Sequence, residues 1–167
     1  VTTALRVLER QRERFRVTAL TSFGNATLLS EQVERFGPSF IGIVRNGAEP
    51  HAGWSVGANC LVEAVERDDV DIVINAVVGA AGLDATLAAL ARGKRVALAN
   101  KETLVMAGSL VSAACEAGGG EIIPVDSEHS AILQCITGRP GVDVRRVIIT
   151  ASGGPFRQWS PEALESA

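Results

Sequence analysis

Apolar positions along the chain alternate between two spacings. Ala4, Leu5, Val7 and Leu8 recur at helical intervals, and RVTALTS (16–22) then reads as a strand. ATLLSEQVERFG (26–37) predicts a second helix stopped by Gly37, and SFIGIVR (39–45) a second strand. VGANCLVEAVERDD (56–69) predicts a third helix before the nearly all-apolar strand DIVINAVV (71–78). LDATLAALARG (83–93) leads to the strand KRVALAN (94–100), and ETLVMAGSLVSAACEAGGG (102–120) leads to EIIPV (121–125). The pattern closes with a helix over EHSAILQCITG (128–138), a strand over VRRVIITAS (144–152) and a helix start at Ser160, Pro161 and Glu162. NGAEPHAGWSVG (46–57) is the least regular stretch and is expected on the surface.

Strands that lack polar alternation and are separated by helices indicate a parallel sheet covered on both faces. The expected fold is therefore α/β, a doubly wound, mostly parallel sheet of Rossmann type. Such folds normally open with a strand and a Gly-rich turn that receives a pyrophosphate. Here the pattern starts inside a helix and stops just after a helix start, so the expectation is a fragment lacking that loop and a C-terminal part.

Composition narrows the function. Hydrophobic residues make up 47% and charged residues 21% of the 167 residues, ordinary globular usage. Aromatics are only 4% and Tyr is absent, so aliphatic side chains must fill the core. A net charge of -3 with interspersed signs offers no basic stripe for nucleic acid. No apolar run reaches the roughly 20 residues of a membrane span. Cys60, Cys115 and Cys135 have neither metal-ligand nor redox-motif spacing and read as reduced, mostly buried residues of a cytoplasmic protein.

Ligands of a parallel sheet bind beyond the carboxyl ends of its strands. ANKE (99–102), DSEH (126–129) and ASGGPF (151–156) all fall at such ends. In an extended segment Asp126 and Glu128 would point the same way, and a divalent cation would relieve their repulsion. The alternative is that Asp126 caps a helix beginning near Glu128. Ser152 and its glycines fit either an anion nest or an ordinary Gly-Pro turn. Lys101 could pair with an anionic substrate or be solvated. His129 could carry a proton, support a ligand or be structural. GAAG (79–82) either admits a flat cofactor to the backbone or merely joins strand to helix.

Taken together and in this order, VVGAAGL, ANKETLV, PVDSEHSAILQ and ASGGPF closely resemble the 1-deoxy-D-xylulose 5-phosphate reductoisomerase family, over almost the whole chain. The resemblance implies an NADPH-binding region over 1–120 and the start of a metal- and substrate-binding catalytic domain over 121–167. It implies Mg2+ or Mn2+ on Asp126 and Glu128, catalytic roles for these two and Lys101, and substrate contacts from Lys101, Ser127, Glu128 and Ser152. Asn25, Asn100 and Glu102 would line the NADPH site, the substrate would be a small phosphorylated sugar, and the full-length enzyme would be a homodimer. The 167 residues alone would be inactive, without the Gly-rich loop and a third acidic ligand. Some members carry a basic residue before the Asn matching Asn25, whereas SFGN here has Gly24, which leaves preference for the 2′-phosphate unexplained. A different NAD(P)-dependent oxidoreductase, of homoserine dehydrogenase-like domain order, would have to produce DSEH by coincidence, and a non-catalytic Rossmann-like module has no need for metal ligands and a phosphate nest together.

Overall fold

The computed structural model describes residues 1–45, 51–148 and 156–165. Val1–Ile132 forms one compact unit and Leu133–Ala167 a second. In the first, α1 (Thr2–Glu9), β1 (Ala19–Ser22), α2 (Ala26–Phe36), β2 (Phe40–Ile43), β3 (Ser55–Val56) and α3 (Cys60–Glu66) precede β4 (Ile72–Asn75). α4 (Leu83–Ala91), β5 (Arg95–Leu98), α5 (Lys101–Gly118), β6 (Glu121–Pro124) and the start of α6 (Ser127–Ile136) follow.

Among the described residues all strand pairs are parallel, in two three-stranded sheets ordered β1-β2-β3 and β4-β5-β6. The parallel α/β expectation is met, with helices placed where the 3.6-residue spacing put them. β3 is an addition, because the stretch read as irregular contributes Ser55 and Val56 as a short partner for Gly42 and Ile43. The helix expected from Val56 starts only at Cys60.

β1 and β4 are not paired with each other. Between them runs an apolar groove enclosing about 170 Å³, lined by Leu5, Leu20, Val65, Ile72 and Ile74 among others. In the doubly wound order this is the position of the opening strand. Ile72 and Ile74, two apart and therefore on one side of β4, are 43% and 40% exposed there.

α3 joins the two halves. A Cβ on Gly42 of β2 would lie 2.8 Å from Cys60 Cβ, so this glycine permits the helix to seat on the strand. Leu61 and Val65 of α3 then pack with Ala85, Ala89 and Leu90 of α4, Val96 and Leu98 of β5, and Val111 of α5. A second cluster joins Leu5, Leu20, Leu29 and Ile43 from α1, β1, α2 and β2. Burial, aided by nearby Glu63, pushes the Cys60 thiol up to about 11, so it behaves as a packing group. All three cysteines are free as expected, but Cys115 is only half-buried and Cys135 is exposed.

The second unit, taken by itself, holds the end of α6, a 3₁₀ turn over Gly141–Asp143 and α7 (Pro161–Leu164). Ser160 accepts from the Ala163 amide at 3.3 Å, the cap read from Ser-Pro-Glu. The strand expected over 144–152 is absent from 144–148, and 149–152 lie outside the described residues. Apolar β-branched residues make a strand only beside a ladder partner, and no described strand pairs with 144–148. No helix among the described residues is long and apolar enough to cross a membrane.

α4 and α5 approach so closely that a Cβ on Gly118 would meet Leu90 O at 2.3 Å, whereas one on Gly108, in the same helix, meets nothing within 4 Å. Opposite effects are expected in denaturant unfolding. Gly118→Ala should destabilise by about 1–3 kcal/mol through overpacking, and Gly108→Ala should stabilise by roughly 0.5–1 kcal/mol through chain entropy.

Candidate active site

The carboxyl ends of β1, β4, β5 and β6 carry every first-unit residue that the sequence singled out. Asn25, just after β1, is exposed and accepts from the Leu28 amide at 3.0 Å, capping α2. After β5, Asn100 caps α5 by accepting from the Thr103 amide at 3.2 Å. Its side-chain amide donates to Val77 O at 2.5 Å and Gly79 O at 2.8 Å. At 2% exposure the whole side chain is committed to the protein, and its effect on any ligand runs through the loop it holds. Lys101 and Glu102, the next two residues, are exposed at the start of α5.

Asn75, at the end of β4, was not anticipated. It is buried, donates to Gly82 O at 2.9 Å and Thr86 Oγ1 at 2.7 Å, and accepts from the Val77 amide at 3.0 Å. Thr86 in turn donates to Gly82 O at 2.9 Å. A Cβ on Gly82 would come within 2.8 Å of Asn75 and 3.0 Å of Asn100, so GAAG is glycine-rich where two amides press against its backbone. The one polar residue inside DIVINAV was the available clue, since a buried amide must find partners. The loop it fixes presents Val78, 85% exposed, and Gly79 at φ +71 on the open edge, a backbone that a flat ligand can approach.

Beyond β6, Asp126 precedes α6, with Ser127 and Glu128 in that helix's first turn. The pair therefore does not lie on an extended segment, as the period-two argument assumed. The capping geometry is present, with Asp126 Oδ1 accepting from the His129 amide at 3.3 Å and approached by His129 Nδ1 at 2.9 Å. Lys101 Nζ stands 4.0 Å from Asp126 Oδ2. The His129 amide, with the charges of His129 and Lys101, holds the Asp126 carboxyl below the usual carboxylate range against partial desolvation. Ser127 Oγ donates to Glu128 Oε2 at 2.5 Å.

Two carboxylates and a hydroxyl are hard oxygen donors of the kind Mg2+ and Mn2+ prefer, and an Asp126 that stays ionised suits a ligand. Among the described residues no three His, Cys, Asp or Glu side chains converge as a complete metal set. The donors thus fit part of a divalent coordination sphere. Ser152 lies outside the described residues.

Two measurements check this geometry. Asn75→Ala leaves the Val77 amide without its partner, while Thr86 keeps Gly82 O, and should cost about 1–3 kcal/mol, with faster hydrogen exchange at the Val77 amide. Because Asp126's folded pKa lies below its unfolded value, its stabilisation is full above the ordinary carboxylate pKa and is lost as pH falls through the lowered one. Carboxyl NMR should find that lowered value, and His129→Ala should raise it only partway, since the residue-129 amide still donates.

Comparison with known proteins follows the same residues. The family model described as 1-deoxy-D-xylulose 5-phosphate reductoisomerase matches residues 2–108, and that of the C-terminal domain of the same enzyme matches 122–167. The 1-deoxy-D-xylulose 5-phosphate reductoisomerase of Nocardia farcinica is 45% identical over 171 residues, covering 99% of this chain and 42% of the relative. That of Chloroherpeton thalassium is 44% identical, covering 98% and 45%. A solved reductoisomerase from Zymomonas mobilis in complex with NADPH matches at a TM-score of 0.79 and 40% identity, over 98% of this chain and 45% of its own. Another, in complex with NADPH, fosmidomycin and magnesium, matches at 0.72 and 37% identity, over 80% and 35%. The chain thus spans less than half the length of these relatives.

Proposed function

The chain belongs to the 1-deoxy-D-xylulose 5-phosphate reductoisomerase family, and on that premise we propose that the whole protein converts 1-deoxy-D-xylulose 5-phosphate to 2-C-methyl-D-erythritol 4-phosphate with NADPH and Mg2+ or Mn2+, in non-mevalonate isoprenoid biosynthesis. The observation that carries this reading is that Lys101 and the Asp126–Glu128 group stand at the carboxyl ends of neighbouring strands, β5 and β6, with Lys101 in charge reach of Asp126.

Asp126 and Glu128 would hold the cation. When bound, it supplies Lewis-acid polarisation of the substrate's ketone and hydroxyl oxygens, and NADPH supplies the hydride. His129 fixes Asp126 from two sides, through its amide and Nδ1, so the carboxylate is oriented before any ligand arrives. Ser127 and Glu128 would contact substrate hydroxyls. Lys101 would neutralise substrate charge, and Ser152 would hold the phosphate. Asn25 and Glu102 would border NADPH directly, and Asn100 through the 77–79 loop it clamps. Residues 1–120 serve in this reading as the NADPH-binding region and 121–167 as the start of the catalytic domain. The same reading assigns a cytoplasmic homodimer; the three free thiols support the compartment.

The full-length protein should oxidise NADPH on deoxyxylulose phosphate only when Mn2+ or Mg2+ is supplied, and a folded protein that turns nothing over sinks the reading. Asp126→Asn should lower metal-dependent turnover on the order of 100-fold or more while NADPH binding stays near wild type. Unchanged turnover would refute the metal assignment.

A further inference from the structure

Gly24 leaves the end of β1 without the basic side chain that a 2′-phosphate would need, yet the structure brings one there from the next strand. Arg45, two residues past β2, donates its amide to Phe23 O at 2.6 Å. Its guanidinium lies over the Phe23 ring, 4.8 Å from the centroid. A Cβ on Gly24 would sit 3.7 Å from both the Cβ and the carbonyl oxygen of Arg45, an ordinary van der Waals distance, so residue 24 lies directly beside Arg45. Arg45 is exposed and forms no ion pair among the described residues. Ser22, Phe23, Gly24 and Asn25 include no carboxylate, the group that would select a ribose 2′-hydroxyl instead.

We propose that Arg45, held against Phe23 and Gly24, recognises the 2′-phosphate of the dinucleotide and sets this protein's preference for NADPH over NADH. A guanidinium braced on an aromatic face keeps a fixed plane, and two parallel N–H groups match two phosphate oxygens. The cation comes from the end of β2 instead of the β1 turn, and Gly24 lies beside it. This assignment rests on the NADPH reading above.

The test titrates full-length wild type, Arg45→Ala and Arg45→Lys with 2′,5′-ADP and with 5′-ADP by calorimetry, alongside kinetics with NADPH and NADH. Wild type should prefer 2′,5′-ADP. Arg45→Ala should lose about 10- to 100-fold in 2′,5′-ADP affinity with 5′-ADP unchanged, and Arg45→Lys should fall between. KM for NADPH should rise in step while kcat at saturation and KM for NADH hold. Undiminished discrimination in Arg45→Ala overturns the proposal and leaves the NADPH reading standing; wild type that binds neither nucleotide and uses no NADPH overturns both. An unchanged unfolding midpoint for the variants shows that the loss is local.

Discussion

Two buried side-chain amides, Asn75 and Asn100, hold the edge on which the site is built. Each sits at the carboxyl end of a central strand, where the backbone leaves its ladder and its polar groups need new partners. Asn75 replaces them for the turn after β4, and Asn100 reaches across from β5 to donate to two carbonyls of the same loop. A buried amide left unpaired would cost about 1–3 kcal/mol, so the arrangement persists only while both strands, the loop and the first turns of α4 and α5 stay in register. Gly82, enclosed by both amides, is the steric counterpart of that network. Rigidity at this edge therefore follows from polar satisfaction more than from apolar packing.

Regular elements were legible because each reports itself locally. The helix start at Ser160, stops such as Gly37 and apolar strands such as β4 and β5 needed no knowledge of the rest of the chain. What was missed is non-local. β3 exists because Gly42 and Ile43 offer it a free edge, and 144–148 fails as a strand for want of such an edge. At the site, the cap at Asp126 was one of the two readings DSEH allowed, and the extended pairing with Glu128 failed because the helix that Asp126 caps turns the pair. Asn100 was named as a ligand residue, yet its side chain is spent on Val77 and Gly79, a partnership 23 and 21 residues away along the chain.

The cap and metal readings of Asp126 were posed as alternatives, and the structure shows why they need not compete. Oδ1 takes the His129 contacts, whereas Oδ2 is the atom nearest Lys101. A carboxylate with one oxygen committed to the α6 N-terminus is oriented and kept ionised, and the other oxygen remains for a ligand. Capping would thus prepare Asp126 for the metal role proposed for it, by fixing its rotamer and lowering its pKa.

The divided sheet gives the same logic on a larger scale. Ile72 and Ile74 are placed on the groove side of β4 by strand alternation, and Leu20 and Leu5 meet the groove from β1 and α1. Apolar side chains from both walls, together with the unpaired edges of two parallel strands, make an environment suited to one further parallel strand, which would convert the halves into a single sheet. α3 already fixes the spacing of the halves through Cys60 on Gly42 and Leu61 and Val65 on α4, so the groove does not depend on its occupant for its walls. Closing it would bury Ile72 and Ile74 and tie the end of β1, with Phe23, Gly24 and Arg45, to the end of β4 with its clamped loop. Those two ends are where the proposed site takes its dinucleotide, and α3, seated on β2 through Cys60 and on α4 through Leu61 and Val65, sets the spacing of the strands that lead to them.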